Sequence, residues 1–127
     1  MTGLAAGAIL VAMVIGVADG DTIALQGGTR VRLEGIAAPE LKEPFGGQSS
    51  DALRRAALGQ EATCVAAGTP QSHGREVMRC SVNGVDLGLA MVMFGHARVC
   101  WVRGKRPYEQ ALDRLGAVPA TLPGYCK

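Results

Sequence analysis

Short stretches in which apolar and polar residues alternate recur along this 127-residue chain. That period is typical of β-strands with one buried face, and the glycine, asparagine and aspartate residues between the stretches are typical of turns. Gly27-Gly28 is a two-residue hairpin signal between two such stretches. The pattern predicts five main strands and a further short one, at residues 12–17, 22–26, 29–34, 61–67, 76–82 and 96–102.

Capping residues and terminal glycines predict three helices. Ser49 or Ser50 can cap the first helix, Asp86 can cap the second, and Pro107 begins the third. They end at residues 58, 94 and 115, each before a glycine. Five main strands, with helices after the third and the fifth, predict an α+β, mainly β fold: a small, partly open five-stranded Greek-key barrel with about three helices.

Composition limits the class of protein. Hydrophobic residues make up 48% of the chain, which excludes intrinsic disorder, and the few aromatic residues (one Trp, two Tyr, two Phe) mean that the core must be aliphatic. The length suits a single domain. A net charge of +2 is too small to indicate nucleic-acid binding by itself.

The N-terminal segment carries no charge from residue 3 to residue 17. It is shorter than the ~20 apolar residues of a membrane span, so no span is predicted, and it lacks the basic start of an export signal. We expect residues 1–11 to be an apolar extension or the remnant of an export signal. Residues 12–116 would form the domain, and residues 117–127 a tail that Cys126 ties to it.

Four cysteines, Cys64, Cys80, Cys100 and Cys126, are even in number and include no Cys-x-x-Cys pair, which argues against a zinc site. Of the three possible pairings, Cys64–Cys80 and Cys100–Cys126 are favoured because each joins neighbouring predicted elements. Each bond would contribute roughly 3 kcal/mol. Disulfides predict a periplasmic or secreted protein, and the alternative is four buried free thiols in the cytosol.

Acidic and basic residues next to glycine or proline form three short blocks. The blocks are Asp19-Gly20-Asp21-Thr22, residues 32–40 with Arg32 and Glu40 at their ends, and His73-Gly74-Arg75. Carboxylates that hold a hard cation or activate water, together with arginines that neutralise charge on phosphorus, are what phosphodiester cleavage requires. Taken singly, each block is also an ordinary turn or solvated side chain, so the hypothesis depends on whether they meet in space.

The order of these blocks resembles the staphylococcal-nuclease-like (thermonuclease, TNase-like) family. The matching segments are residues 17–22, Arg32-Leu33, Gly35-Ile36, Pro39-Glu40, Phe45-Gly46, Gly74-Arg75, residues 84–87, residues 95–97 and Tyr108-Glu109. The resemblance runs from about Gly16 to Leu112, and it implies an OB-type barrel with three helices and nuclease activity.

The same resemblance implies a role for each site residue. Asp21 would be a Ca²⁺ ligand, with the backbone carbonyl of Ala38 as another. Glu40 would be the general base that positions or activates water. Arg32 and Arg75 would bind the phosphate and stabilise the transition state, a task that suits the planar, always charged guanidinium group.

Asp19 and Thr22 would support the metal from its second shell of neighbours. Ala37 departs from the family, because it stands where a second metal-binding aspartate is usual. Since calcium gains affinity from the charge of its oxygen ligands, the resemblance implies a weakened Ca²⁺ site.

Residues expected to contact nucleic acid are His73, Trp101 and Arg103. Trp101 could stack on a base or pack against the last helix, and His73 could contact a phosphate or be merely exposed. A basic cluster near the C-terminal end could steer a polyanion or be a solvated loop. It consists of Arg98, Arg103, Lys105 and Arg106.

The sequence therefore predicts a metal-dependent phosphodiesterase, a calcium-dependent endonuclease. It would act as a monomer on DNA or RNA, mainly single-stranded, with low sequence specificity. The alternative is a weakened or inactive binding module of the same fold, because of Ala37. A third possibility is a disulfide-stapled structural domain without a ligand.

Overall fold

Strands dominate the computed structural model, which describes residues 3–100 and 126 of the chain. Eight strands and two helices lie within these residues. They are β1 (Ile9–Asp19), β2 (Thr22–Leu25), β3 (Arg30–Leu33), β4 (Ile36–Ala37), α1 (Gly46–Ala57), β5 (Glu61–Ala66), β6 (Glu76–Val82), β7 (Val85–Asp86), α2 (Leu87–Met93) and β8 (Arg98–Val99).

Five of these strands close into a barrel. The order is β3-β2-β1-β5-β6 with antiparallel neighbours, and a parallel pairing of β3 with β6 closes the ring. β7 extends β6 as a short hairpin, and β4 pairs with β8 in a separate two-stranded ribbon. The predicted five-stranded, mainly β barrel is therefore confirmed.

The barrel core follows from the alternation in the sequence. In β5, Ala62, Cys64 and Ala66 point inward while the residues between them are exposed. Aliphatic side chains fill the interior, and they include Val14, Ile23, Leu25, Val31, Leu33, Leu53 and Met78. Cys64 lies directly opposite Cys80 on β6 and is joined to it by a disulfide, with the two Cα atoms 4.0 Å apart.

The first strand is longer than predicted, because it begins at Ile9 rather than at residue 12 and continues to Asp19. Its first half pairs with β5 and its second half with β2, with irregularities after Val14 and Val17. Such bulges bend a strand, so one continuous segment can serve two partners. The residues 9–11, expected to belong to an extension, form part of the barrel.

Helix α2 is capped by Asp86, as predicted: the Asp86 carboxylate accepts a hydrogen bond of 3.0 Å from the Leu89 amide. Helix α1 begins at Gly46, so the prediction that Ser49 or Ser50 caps it is wrong. Both serines are buried inside the helix, where the Ser49 hydroxyl donates to the His96 carbonyl. The third predicted helix lies outside the described residues.

The β4–β8 ribbon is held by a second disulfide. Cys100 is joined to Cys126, with Cα atoms 4.7 Å apart, and the Cys100 amide donates to the Gly35 carbonyl at 2.8 Å. β8 is shorter than predicted because the amides of His96 and Ala97 donate to the Met91 carbonyl and not to a strand. Both favoured cysteine pairings are present, and they are compatible with an extracellular or periplasmic location.

Within residues 3–100, neither helix has the length and apolar character needed to cross a membrane.

Candidate active site

The tight connection between β1 and β2 places the first acidic block. Gly20 is buried in it, and a Cβ there would lie 2.7 Å from the Ala38 Cβ and 2.8 Å from the Ser49 Cβ. Only glycine fits this approach without displacing its neighbours. The Asp21 amide donates to the Asp19 carboxylate at 3.1 Å, which fixes the turn. Asp21 is thereby held against the loop that follows β4.

The Asp21 side chain is almost fully buried, with 7% of the residue exposed. Its Oδ1 accepts a hydrogen bond from the Thr22 hydroxyl at 3.1 Å, and its Oδ2 accepts one from the Ala38 amide at 2.9 Å. Burial raises the pKa of the Asp21 carboxyl from 3.8 to about 6; the Arg32 guanidinium opposes this shift and the nearby Asp19 carboxyl adds to it. The site therefore holds an anionic group in a poorly solvated position.

Arg32 reaches Asp21 from the middle of β3, where it pairs with Thr22 on one side and Val77 on the other. Its guanidinium lies 3.6 Å from the Asp21 Oδ2 and donates to the Leu33 carbonyl at 2.7 Å. A guanidinium has five N–H donors, so this arrangement leaves donors for an anionic ligand.

Arg75 is positioned by a two-residue hairpin turn. His73 and Gly74 both have positive φ, 51° and 77°, and Ser72 and Arg75 exchange backbone hydrogen bonds of 2.9 and 3.0 Å. The Arg75 Nε donates to the Ser72 carbonyl at 2.9 Å, and another guanidinium nitrogen donates to the Thr22 hydroxyl at 2.9 Å. His73 is left exposed at the tip of the turn.

A continuous chain of polar contacts results. Arg75 donates to Thr22, Thr22 donates to Asp21, and Asp21 lies beside Arg32. Residues that are up to 54 positions apart in sequence thus meet in one cluster. Ser72 was not singled out from the sequence. The signal that could have found it is the two-residue hairpin turn His73-Gly74, because such a turn places the residues on either side of it, Ser72 and Arg75, opposite each other.

Glu40 lies at the rim and not inside this cluster. Its side chain is exposed, its amide donates to the Glu43 carboxylate at 2.7 Å, and the Glu43 amide donates back to the Glu40 carbonyl at 2.9 Å. Only Pro39 lies between it and Ala38 in the chain, so the two Cα atoms are within about 7 Å. Among the described residues, no hydrogen bond or ion pair joins the Glu40 side chain to the cluster.

Ala37 is buried in a small apolar group. It is 1% exposed and packs with Cys100 and Cys126, so the disulfide lies beside it. The contact that the next residue, Ala38, makes with Asp21 is through its amide. In the part of the chain that the structure describes, no group of three or more His, Cys, Asp or Glu side chains is placed to hold a metal ion.

Oxygen donors for a hard cation are nevertheless present. Asp21 and Asp19 supply carboxylate oxygens close together: the Asp19 carboxylate accepts from the Asp21 amide, and the Asp19 carboxyl adds to the rise in the Asp21 pKa that burial mainly causes. This chemistry fits a divalent cation, with water or substrate oxygens completing the shell that calcium prefers. Trp101 and Arg103, predicted to contact nucleic acid, lie outside the described residues.

Comparison with known families gives one match. A family model described as staphylococcal nuclease homologue matches residues 30–118, which is more than half of the chain and includes Arg32, Glu40 and Arg75. The match begins after the Asp19–Thr22 turn, so the placement of Asp21 beside Arg32 is independent of it. A comparison with curated proteins gives no significant match.

Proposed function

We propose that this chain, which belongs to the staphylococcal nuclease homologue family, is a divalent-cation-dependent phosphodiesterase that hydrolyses DNA or RNA with low sequence specificity. The observation that carries the proposal is the cluster of Asp21, Thr22, Arg32 and Arg75. It combines a buried carboxylate with two permanent cations, and that combination binds both a metal ion and a phosphate.

Calcium, held by Asp21 with support from Asp19, would neutralise phosphate charge and make water more acidic. The carbonyl of Ala38 is the further donor that the family resemblance implies. Since Ala37 supplies no carboxylate, we expect weak affinity. A calcium titration monitored by thermal unfolding should raise the melting temperature of the wild type and leave Asp21→Asn unchanged.

The two arginines would bind the phosphodiester. Arg32 uses one nitrogen for the Leu33 carbonyl, and Arg75 uses three contacts for Ser72 and Thr22, so each retains unused N–H donors. Those donors can bond phosphate oxygens and strengthen as charge develops in the transition state. The contacts to Ser72 and Thr22 also fix the orientation of Arg75 before substrate arrives.

Glu40 would accept a proton from the attacking water. Its exposed side chain carries no competing ion pair among the described residues, and it follows the Ala38 amide that bonds Asp21. An exposed rim carboxylate of this kind is free to turn toward a bound substrate. Apo geometry does not exclude a general base, because catalytic hydrogen bonds tighten when substrate binds.

The test is hydrolysis of denatured DNA by the oxidised protein with added calcium. We expect Glu40→Gln and Arg75→Ala each to lower the rate by at least about 100-fold, while Arg54→Ala, which removes an exposed arginine of α1, should not. Unchanged rates in the first two variants would refute the assignment.

A second candidate function is nucleic-acid binding without hydrolysis, and the burial of Ala37 against the disulfide favours it. Such a module would bind single-stranded DNA through the two arginines but would not cut it with calcium, magnesium or manganese. Measuring binding and hydrolysis on the same oligonucleotide separates the two functions.

A further inference from the structure

An exposed aromatic ring stands beside Glu40. Phe45 is 48% exposed, and the neighbouring Leu41 is 59% exposed. The chain contains only two phenylalanines, so an aromatic ring on this surface is a scarce feature. Single exposed apolar residues are common on proteins, and the case for Phe45 therefore depends on its backbone and its position.

The backbone of Phe45 is unfavourable for the residue that it carries. Phe45 has a left-handed conformation with φ of 66°, and as the residue preceding α1 it provides no side-chain cap. A left-handed conformation is strained for a bulky residue, and the missing side-chain cap removes a further source of helix stability. In contrast, Asp86 caps α2 from an extended conformation. Folding alone does not explain a phenylalanine here.

The loop fixes Phe45 close to the candidate general base. Glu40 and Glu43 exchange two hydrogen bonds, and the Gly46 amide donates to the Glu43 carbonyl at 3.0 Å. Gly46 packs so tightly on Glu40 that a Cβ at position 46 would collide with the Glu40 carbonyl oxygen. Phe45 is therefore held rigidly next to Glu40.

Helix α1 also ties Phe45 to the Asp21 turn. Ser49 lies at the contact with Gly20, and its amide donates to the Phe45 carbonyl at 3.0 Å. One helical turn, about 5.4 Å, separates the two residues along the axis. Phe45 thus stands about one turn of helix from Ser49, the residue that packs against the turn carrying Asp21.

We propose that Phe45 is a stacking platform for an unpaired nucleobase adjacent to the phosphodiester bound by Arg32 and Arg75. An aromatic ring offers any base a flat apolar face, so it binds single strands without reading sequence. This inference rests on the proposed function and adds a preference for unpaired over duplex substrate.

The experiment measures binding of a fluorescent single-stranded oligonucleotide in EDTA, where no hydrolysis occurs. Base stacking is worth ~1–3 kcal/mol, so Phe45→Asn should weaken binding by about 5- to 150-fold. Asparagine tolerates the left-handed conformation and can cap α1, so the variant should melt no lower than the wild type. Phe45→Trp should bind as the wild type does, and Phe94→Ala, which removes the other exposed phenylalanine, is the matched control.

The decisive arm uses oligonucleotides that carry abasic positions. The wild type should lose affinity for them, and Phe45→Asn should bind intact and abasic strands equally. The proposal would be overturned if Phe45→Asn bound the intact strand as tightly as the wild type does. It would also be overturned if abasic positions lowered the affinity of Phe45→Asn by as much as they lower that of the wild type. If the wild type cuts DNA while Phe45→Asn is unaffected, only this inference fails; if the wild type neither binds nor cuts, the proposed function fails with it.

Discussion

The buried charge of Asp21 should destabilise the fold at neutral pH, and Asp21→Asn should remove this cost. The carboxyl has an ordinary pKa of 3.8 and a pKa of about 6 in the folded chain, mainly because it is buried. Between these pH values the folded chain keeps a proton that the unfolded chain has lost. The free energy of unfolding therefore falls as the pH rises through this range.

The magnitude follows from the same two values. Below pH 3.8 both states are protonated and the charge costs nothing, whereas above about pH 6 the cost is complete. At 1.36 kcal/mol for each pKa unit, the full cost is about 3 kcal/mol. Asparagine has no charge to bury and can still accept the Ala38 amide hydrogen bond. The difference in free energy of unfolding between Asp21→Asn and the wild type should therefore change by about 3 kcal/mol from below pH 3.8 to above about pH 6.

Urea denaturation in EDTA, at about pH 4 and about pH 7.5, measures the effect. The stability of Asp21→Asn relative to the wild type should rise by about 2–3 kcal/mol between the two conditions. Asp51→Asn is the control, because Asp51 is exposed on α1 and, within residues 3–100, its ion pair is with Arg54, at 2.8 Å. A relative stability that does not change with pH would refute the burial of a charged Asp21.

Three further predictions concern the surroundings of this carboxylate. Ala37→Asp should lower the free energy of unfolding by more than about 2 kcal/mol without tightening calcium binding, because the new carboxylate would be desolvated against the disulfide. Unchanged stability in urea together with tighter binding in a calcium titration would contradict this. Removing either disulfide by serine substitution, Cys100 with Cys126 or Cys64 with Cys80, should lower the free energy of unfolding by roughly 3 kcal/mol. Only loss of the Cys100–Cys126 bond should also weaken oligonucleotide binding, because this disulfide packs against the segment that leads to Ala38 beside Asp21. If two arginines contact phosphates, a plot of the logarithm of oligonucleotide affinity against the logarithm of salt concentration should have a slope of about −1.4 or steeper. A slope near zero in this salt titration would exclude both contacts.

The barrel could be predicted from the sequence because its strands are specified locally. Alternation in β5, with Cys64 and its neighbours pointing inward, requires no knowledge of the partner strand. The Asp86 cap and the glycine after α2 are likewise local signals. The closing pairing of β3 with β6 is not local, and the alternation of residues along each strand does not indicate it.

The start of α1 could not be predicted from capping residues. Ser49 and Ser50 are good caps in an isolated helix, but both are buried here, and the Ser49 hydroxyl bonds the His96 carbonyl instead. The helix begins at Gly46 because the Glu40–Glu43 turn delivers the chain there. Tertiary contacts therefore override the local signal.

The candidate site shows the same division. Asp21, Thr22, Arg32 and Arg75 were predicted as residues, yet the hydrogen bonds by which the Thr22 hydroxyl joins Asp21 to Arg75 could be found only from the folded structure. The packing of Ala37 was equally inaccessible, because it depends on Cys126, which is far along the chain. Residue types are local information, while the partners of a side chain are set by topology.

A barrel that had lost its function would have no reason to keep the costs that gather at one end of this molecule. Asp21 is ionised at neutral pH despite burial, and Phe45 begins a helix without capping it. Gly20 loses more conformational entropy on folding than a residue with a side chain would. What its lack of a Cβ permits is the close approach of Ala38 and Ser49. Each feature lowers stability. Asp21 lies 3.6 Å from Arg32, Gly20 precedes Asp21 in the chain, and the Phe45 carbonyl accepts a hydrogen bond from Ser49, the residue that packs against Gly20. Local strain and buried charge are retained at functional sites because the surrounding fold compensates for them, so their concentration here favours a working phosphodiesterase over an inert module.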